Sequence, residues 1–229
     1  MLRAFLLDFD GTLADSEGAH FAAFSAVLAP HGIHLDREEY FRRYLGVTDR
    51  ECLERCLRDH GREDLLPEGD FLLAAKASEM AGRIAAGIRL CPGAGAFLAE
   101  ASTVGPLGVV SGALAGEVDH VLRQAGVREL FATVVAAEDV RRGKPDPEGY
   151  RLGWHRLRAH LPDLEVRDCL AVEDAPAGIR AAHAAGLPVL AVATTRPPGA
   201  LGEAELVVAS LTDVDWVALR SEQAFRRAR

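Results

Sequence analysis

The chain has 229 residues, of which 49% are hydrophobic and 26% are charged, a balance that is typical of a globular protein with a sizeable core. The formal net charge of −8 at pH 7 argues against a general nucleic-acid-binding protein, because such a protein needs a basic face. No apolar run approaches the roughly 20 residues that a membrane-spanning helix needs, so we expect no membrane partner.

The cysteines and the first residues bear on localisation. The chain leads directly into an apolar segment, without the charged, apolar and cleavable leader of a secreted protein. Four cysteines without such a leader predict a reducing, cytoplasmic setting with free thiols.

The first predicted element is a strand that begins at Leu2 and ends in Asp8-Phe9-Asp10-Gly11-Thr12. In open α/β sheets, ligands bind at the carboxyl ends of buried parallel strands, so this strand would deliver two carboxylates to that edge. Asp8 and Asp10 would point to the same side, and so close a pair favours a bound divalent cation or a shared proton. Taken alone, the two aspartates could equally be turn residues that close the strand.

A long helical stretch follows. Apolar spacing and capping residues predict four helices, at residues 18–28, 36–45, 48–60 and 67–86. Strands resume only near residue 107, so we expect a small all-helical domain at residues 16–88, inserted into an α/β domain formed by residues 1–15 and 89–229.

A possible metal site lies within these predicted helices. Cys52, Cys56 and His60 would share one helical face, but a fourth ligand is missing and the Cys-x₃-Cys spacing is unusual for zinc. Helix packing is the favoured interpretation.

The second half of the chain alternates strands with helices. The predicted strands cover residues 107–112, 132–137, 169–174, 188–193 and 206–208, and the predicted helices cover residues 94–101, 114–125, 147–160 and 176–185. This alternation predicts a doubly wound, mostly parallel sheet with helices on both faces. The basic end at residues 226–229 is interpreted as a solvated tail.

Chemically reactive side chains follow the predicted strands. They are Asp8 and Asp10, then Ser111 and Gly112, then Lys144 in its loop, and finally Glu173 and Asp174. The carboxyl ends of parallel strands meet at one edge of a sheet, so these groups are expected to converge. A carboxylate nucleophile, a second carboxyl for proton transfer, a hydroxyl, a lysine and an acidic pair are what phosphoryl transfer through an aspartyl-phosphate requires.

These four stretches resemble the motifs of the haloacid dehalogenase superfamily, in their order and on the expected elements, over essentially the whole chain. The helical insertion is similar to the cap of the subgroup that holds phosphoglycolate phosphatases and β-phosphoglucomutases. The dehalogenases lack the second aspartate, so Asp10 indicates phosphate chemistry. Thr12 is common in the phosphatases and favours hydrolysis.

The resemblance implies a role for each acidic group. Asp8 would attack phosphorus, and Asp10 would protonate the leaving oxygen and then activate water. Mg²⁺ would bind the Asp8 carboxylate, the Asp10 backbone carbonyl and the Asp174 carboxylate. Glu173 would either bind the metal directly or, as we favour, act on a group that does.

The remaining residues would bind the substrate. Lys144 would offset the repulsion between the phosphate and the nucleophile, while Ser111, Gly112 and Thr12 lie where phosphate oxygens are held. In the cap, His20, Arg50 and Lys76 match positions that contact the substrate or approach Asp10 in related proteins; each has a purely structural alternative as a packing or solvated residue.

The sequence therefore predicts a Mg²⁺-dependent phosphatase for a small phosphomonoester such as a sugar phosphate or phosphoglycolate, present as a monomer or a weak homodimer. A phosphomutase of the β-phosphoglucomutase type is the near alternative. A phospho-acceptor signalling module is less favoured, because its acceptor normally ends the third strand and it has no helical insertion. A catalytically silent binding protein is disfavoured by the intact set of reactive residues.

Overall fold

The structure is a computed structural model that describes residues 1–44 and 48–220. It divides into two compact units: a helical unit, Ser16–Ile88, and an α/β unit formed by Met1–Asp15 together with the chain from Arg89 onward. The predicted tail at residues 226–229, and the positions of Leu45, Gly46 and Val47 beside the predicted second and third helices, lie outside the described residues.

The described part of the helical unit contains four α-helices, close to the positions that the sequence predicts. They are α1 (Glu17–Leu28), α2 (Arg37–Arg43), α3 (Asp49–Asp59) and α4 (Gly69–Ala86). The Asp36 carboxylate accepts a hydrogen bond from the Glu39 amide at 2.9 Å and the Thr48 hydroxyl accepts one from the Glu51 amide at 3.2 Å, so both act as the expected N-caps. Helix α4 begins two residues later than predicted, because Pro67 belongs to a preceding 3₁₀ turn.

The two cysteines of α3 are packing residues. Cys52 and Cys56 are buried in the core of the helical unit with Phe24, Tyr40 and Leu57. The neighbouring His60 bonds through Nδ1 to the Cys56 carbonyl at 2.8 Å. This contact with the backbone supports packing over a metal site.

The α/β unit is built on a six-stranded sheet. Its strands are β1 (Ala4–Leu7), β2 (Leu107–Val110), β3 (Phe131–Val135), β4 (Cys169–Glu173), β5 (Val189–Val192) and β6 (Leu206–Val208). They are arranged in the order β3-β2-β1-β4-β5-β6, and every pairing between them is parallel. The predicted doubly wound α/β fold is confirmed. The strands at residues 107–112 and 169–174 end earlier than predicted, which leaves Ser111, Gly112 and Asp174 in the loops at the strand ends.

Helices cover both faces of this sheet. They are α5 (Ala94–Val104), α6 (Ala115–Gln124), α7 (Glu148–Leu157), α8 (Pro176–Ala184) and α9 (Trp216–Arg220), the last of which the sequence analysis did not predict. Consecutive side chains of a strand point to opposite faces. Phe5 packs edge-on against Phe97 and Trp216, whereas Leu6 lies in a core with residues of α7 and α8 such as Tyr150 and Ile179. Among the described helices, none combines the length and the apolar character needed to cross a membrane.

Candidate active site

The first candidate residue, Asp8, directly follows the central strand β1. Its amide donates to the Val172 carbonyl at 2.9 Å, which extends the pairing between β1 and β4 by one residue. All four residues of β1 are buried, so the strand holds the Asp8 backbone firmly at the carboxyl edge of the sheet. The Asp8 carboxylate is 11% exposed.

A tight turn carries the chain away from Asp8. The amides of Leu13 and Ala14 both donate to the Phe9 carbonyl, at 2.9 and 2.8 Å. Gly11 has φ of +75°, which disfavours any residue with a Cβ, and a Cβ there would overlap the Asp174 carboxylate. Glycine is therefore needed for the turn to lie against Asp174.

The Lys144 side chain contacts carboxylates at the ends of two strands, β1 and β4. Its ammonium contacts Asp8 Oδ1 and lies 2.6 Å from Glu173 Oε1. Burial acts to lower the pKa of Lys144, but the two carboxylates outweigh burial and raise it. The lysine is therefore a fixed positive charge between Asp8 and Glu173.

Glu173, at the end of β4, is enclosed by protein. Its side chain is 1% exposed, and its Oε1 accepts a hydrogen bond from the Tyr150 hydroxyl at 2.6 Å. Glycine at position 178, in the first turn of α8, makes room for this carboxylate, because a Cβ there would overlap it. Tyr150 was not predicted from the sequence as a site residue. The available signal was a tyrosine on the apolar face of the helix after Lys144, since a buried hydroxyl needs a polar partner.

Asp174 follows Glu173 and is also buried. Its Oδ2 accepts a hydrogen bond from the Thr195 hydroxyl, and the adjacent Thr194 hydroxyl donates to the Gly11 carbonyl. Both threonines follow β5, and sequence reasoning missed them although polar residues after a predicted strand were the signal used elsewhere. They connect Asp174 and the Gly11 turn to the same edge of the sheet.

Negative charge is concentrated at this edge. Asp8, Glu173 and Asp174 each offer a carboxylate oxygen within 4.8 Å of the others. Burial and the Glu173 charge raise the pKa of Asp8 to about 7, against the opposing effect of Lys144; the charge of the half-buried Asp10 also raises it. Buried carboxylates in excess of nearby ammonium groups are a donor set that fits a hard divalent cation.

The other predicted phosphate-binding residues have different surroundings. Ser111 is buried after β2, and its Oγ accepts a hydrogen bond from the Ala113 amide at 2.9 Å. Gly112 is exposed. Thr12 is fully buried inside the turn after Asp8, and its Oγ1 has no hydrogen-bond partner within the described residues.

The predicted cap residues form two groups in the helical unit. Lys76 is only 3% exposed, and its ammonium lies 2.7 Å from Asp49 Oδ2 and 2.9 Å from His20 Nδ1. Burial acts to raise the pKa of Asp49, but the hydrogen bonds and charges of His20 and Lys76 lower it to about 2. Arg50 is exposed and forms an ion pair with Asp70. His20 and Lys76 were predicted as site residues, whereas Asp49, whose carboxylate both of them contact, was not.

Comparison with known proteins identifies the family. Residues 2–186 match the family described as haloacid dehalogenase-like hydrolase. The chain is 32% identical over 217 residues to validoxylamine A 7'-phosphate phosphatase of Streptomyces hygroscopicus subsp. limoneus, covering 94% of this chain and 97% of that protein. It is 34% identical over 215 residues to hexitol phosphatase A of Escherichia coli K12, covering 93% of both chains.

A solved structure agrees with these matches. CbbY from Rhodobacter sphaeroides, in complex with phosphate, has a TM-score of 0.77 and 29% identity to this chain, covering 93% of this chain and 96% of that one. The resemblance that the sequence motifs indicate is confirmed by these comparisons. The chain belongs to the haloacid dehalogenase-like hydrolase family.

Proposed function

We propose that this hydrolase is a Mg²⁺-dependent phosphatase that cleaves a small phosphomonoester through an aspartyl-phosphate on Asp8. One observation carries the proposal: the carboxylate at the end of the central strand contacts the Lys144 ammonium and shares a buried cluster with Asp174. An ammonium and a cation site beside one carboxylate are what an anionic phosphate needs in order to approach a negatively charged nucleophile.

In the first step, an oxygen of the Asp8 carboxylate forms a bond to phosphorus while the bond from phosphorus to the substrate oxygen breaks. Asp10 donates a proton to that departing oxygen, so the alcohol leaves neutral. Lys144 offsets charge repulsion between the phosphate and Asp8. Ser111 and the Gly112 amide are proposed to bind the phosphate oxygens. Thr12 was predicted to bind substrate, but it is fully buried, so we assign it to the shape of the turn that holds Asp10.

In the second step, Asp10 takes a proton from water, and the water oxygen forms a bond to phosphorus. The bond between phosphorus and Asp8 breaks, which releases orthophosphate and restores the carboxylate. The proton that Asp10 takes from water replaces the one it gave to the leaving group, so Asp10 serves first as acid and then as base.

The donor set supports Asp8 and Asp174 as metal ligands, and the family resemblance adds the Asp10 carbonyl. The Asp8 and Asp174 carboxylates and the Asp10 carbonyl would hold Mg²⁺, and Thr195 would orient Asp174 by its hydrogen bond. When bound, the ion supplies positive charge to the phosphate oxygens. Glu173 bonds to Tyr150 and Lys144 through Oε1, which supports a role on Lys144 instead of on the metal.

The substrate class is proposed from relatives and from the helical unit. Two relatives are named validoxylamine A 7'-phosphate phosphatase and hexitol phosphatase A, which supports a sugar phosphate or related small phosphomonoester. His20, Arg50 and Lys76 are proposed to contact the leaving group as part of a cap. A cytoplasmic monomer or weak homodimer is proposed, in keeping with the free thiols of all four cysteines.

The test is orthophosphate release from a panel of phosphorylated sugars, polyols and phosphoglycolate with Mg²⁺. We expect release by the native protein, loss of at least about 10³-fold in Asp8→Asn, and loss on chelation with EDTA that added Mg²⁺ reverses. Asp163→Asn is the matched control, because that carboxylate is 74% exposed and pairs with Arg3. Equal release by native and Asp8→Asn proteins would reject the nucleophile. Isomerised sugar phosphate formed in the presence of a bisphosphate activator would favour the phosphomutase.

A further inference from the structure

The hydroxyl of Tyr150 lies buried beside the candidate site, against Glu173. Tyr150 is fully buried on α7, in the apolar core that contacts β1 and β2. Its hydroxyl donates at 2.6 Å to Glu173 Oε1, and both residues are almost completely withdrawn from solvent. A hydrogen bond from a neutral donor to a buried carboxylate is among the stronger ones in proteins.

The same carboxylate oxygen serves a second donor. The Lys144 ammonium lies 2.6 Å from Glu173 Oε1 and also contacts Asp8 Oδ1. It lies 5.3 Å from the centre of the Tyr150 ring. Lys144 is therefore held between two competing carboxylates, and the tyrosine hydroxyl satisfies part of the hydrogen-bonding capacity of one of them.

We propose that Tyr150 is a positioning residue that acts through Glu173 to set where the Lys144 ammonium stands beside Asp8, and so how well the site binds phosphate. This inference rests on the proposed phosphatase function. Without the hydroxyl, Lys144 is the one close donor to Oε1 among the residues that the structure describes, and the ammonium moves towards Glu173 and away from the place where phosphate meets Asp8. The ring alone fills the same space, so a phenylalanine would preserve the packing and remove only this effect.

The experiment is a double-mutant cycle on phosphate binding. Native protein, Tyr150→Phe, Glu173→Gln and the double variant are titrated calorimetrically with inorganic orthophosphate in the presence of Mg²⁺. We expect Tyr150→Phe to weaken binding about tenfold when Glu173 is present. In the Glu173→Gln background the same change should alter Kd by less than about twofold, because the residue that transmits the effect has lost its charge.

Kinetics separate positioning from damage to the fold. With the best phosphomonoester of the panel, Tyr150→Phe should raise KM more than it lowers kcat, whereas a smaller folded fraction would lower kcat at unchanged KM. Tyr44→Phe is the matched control, because it removes a hydroxyl that donates to a carboxylate, Asp59, at 2.8 Å within the helical unit. We expect this control to leave Kd and KM unchanged.

The outcomes distinguish the two proposals. Orthophosphate release by the native protein, with an equal effect of Tyr150→Phe in both backgrounds or no effect at all, would overturn the role of Tyr150 alone. A native protein that releases no orthophosphate from any substrate would overturn the proposed function and, with it, this role. Both proposals would be supported if the native protein releases orthophosphate and Tyr150→Phe weakens phosphate binding only when Glu173 is present.

Discussion

Lys144 and Asp8 are 136 positions apart in the chain, yet the ammonium of one contacts the carboxylate of the other. The contact joins the end of β1 to the loop before α7, and Glu173 at the end of β4 lies on the other side of the lysine. Two strand ends and one loop therefore meet at one partly buried positive charge.

Replacing Lys144 tests directly what its ammonium contributes to catalysis. We expect Lys144→Met to lower kcat/KM by about 10²- to 10³-fold, because the phosphate would meet the Asp8 carboxylate without a compensating ammonium. Arg142→Met is the matched control: its side chain is 76% exposed and pairs with Asp146 in the same loop. Steady-state kinetics on the best substrate would measure both. A Lys144→Met protein within about threefold of native would remove the lysine from the proposed mechanism.

A larger residue at position 178 tests how closely the Glu173 carboxylate packs against α8. Gly178→Ala places a methyl group where the Glu173 carboxylate lies, and we expect a loss of about 2 kcal/mol in the free energy of unfolding. Gly116→Ala in α6 meets no atom within 4 Å, and should be neutral or stabilise the protein by up to about 1 kcal/mol, because alanine favours helix. Urea denaturation of the native protein and the two variants measures their free energies of unfolding. Equal stabilities would contradict the tight packing of Glu173 against α8.

Removal of the Thr195 hydroxyl should weaken the cation site. In Thr195→Val, Asp174 loses the donor that fixes its orientation, and we expect Mg²⁺ affinity to fall about tenfold. Titration calorimetry with MgCl₂ measures this without reliance on catalysis. Thr103→Val, which removes a hydroxyl bonded at 2.7 Å to the Glu100 carbonyl on α5, should bind Mg²⁺ as the native protein does. The assignment of Asp174 to the metal loses its support if Thr195→Val also binds normally.

The ion pair of the helical unit should make stability depend on pH. The pKa of Asp49 is about 2 in the folded protein, below the value of about 3.9 for an unfolded chain. A lowered carboxyl pKa adds stability that is complete above about pH 4 and is lost as the pH falls towards 2. We expect Asp49→Asn to lower the free energy of unfolding by about 1 kcal/mol at pH 7, a modest value because the carboxylate is 47% exposed.

Urea denaturation at a series of pH values measures this effect. The difference between native protein and Asp49→Asn should shrink as the pH falls below 4. Asp70→Asn is the control, since its carboxylate is 87% exposed and pairs with the exposed Arg50, and such exposed pairs contribute little to stability. A difference that stays constant from pH 7 to pH 3 would contradict the Asp49 ion pair.

Much of this architecture could be predicted from the sequence because parallel strands follow a simple spatial rule. Asp8 and Asp174 follow apolar runs, so the rule alone predicts that they share an edge of the sheet. Lys144 is less obvious, since it lies in a loop; its position after the third predicted strand places it with the other reactive residues, and its match to a family motif supports that placement. The structure brings these three residues together.

The contacts made by the helix residues Tyr150 and Lys76 could not be predicted in the same way. Tyr150 occupies a position on α7 that the apolar pattern assigns to the core. That pattern does not specify the hydrogen bond from its hydroxyl to Glu173. The pairing of Lys76 with Asp49 joins α4 to the first turn of α3. Such a contact depends on how two helices pack, which helical periodicity within either one does not specify.

The strand order has a consequence for how the protein is made. β1 is synthesised first but lies in the middle of the sheet, between β2 at Leu107–Val110 and β4 at Cys169–Glu173. A growing chain therefore carries Asp8, the proposed nucleophile, long before the strands that flank β1 leave the ribosome, and the apolar β1 lacks both partners during that time. Chains that stop before residue 169 would display this strand without one of its neighbours, so premature termination should yield aggregating fragments and no partially active enzyme.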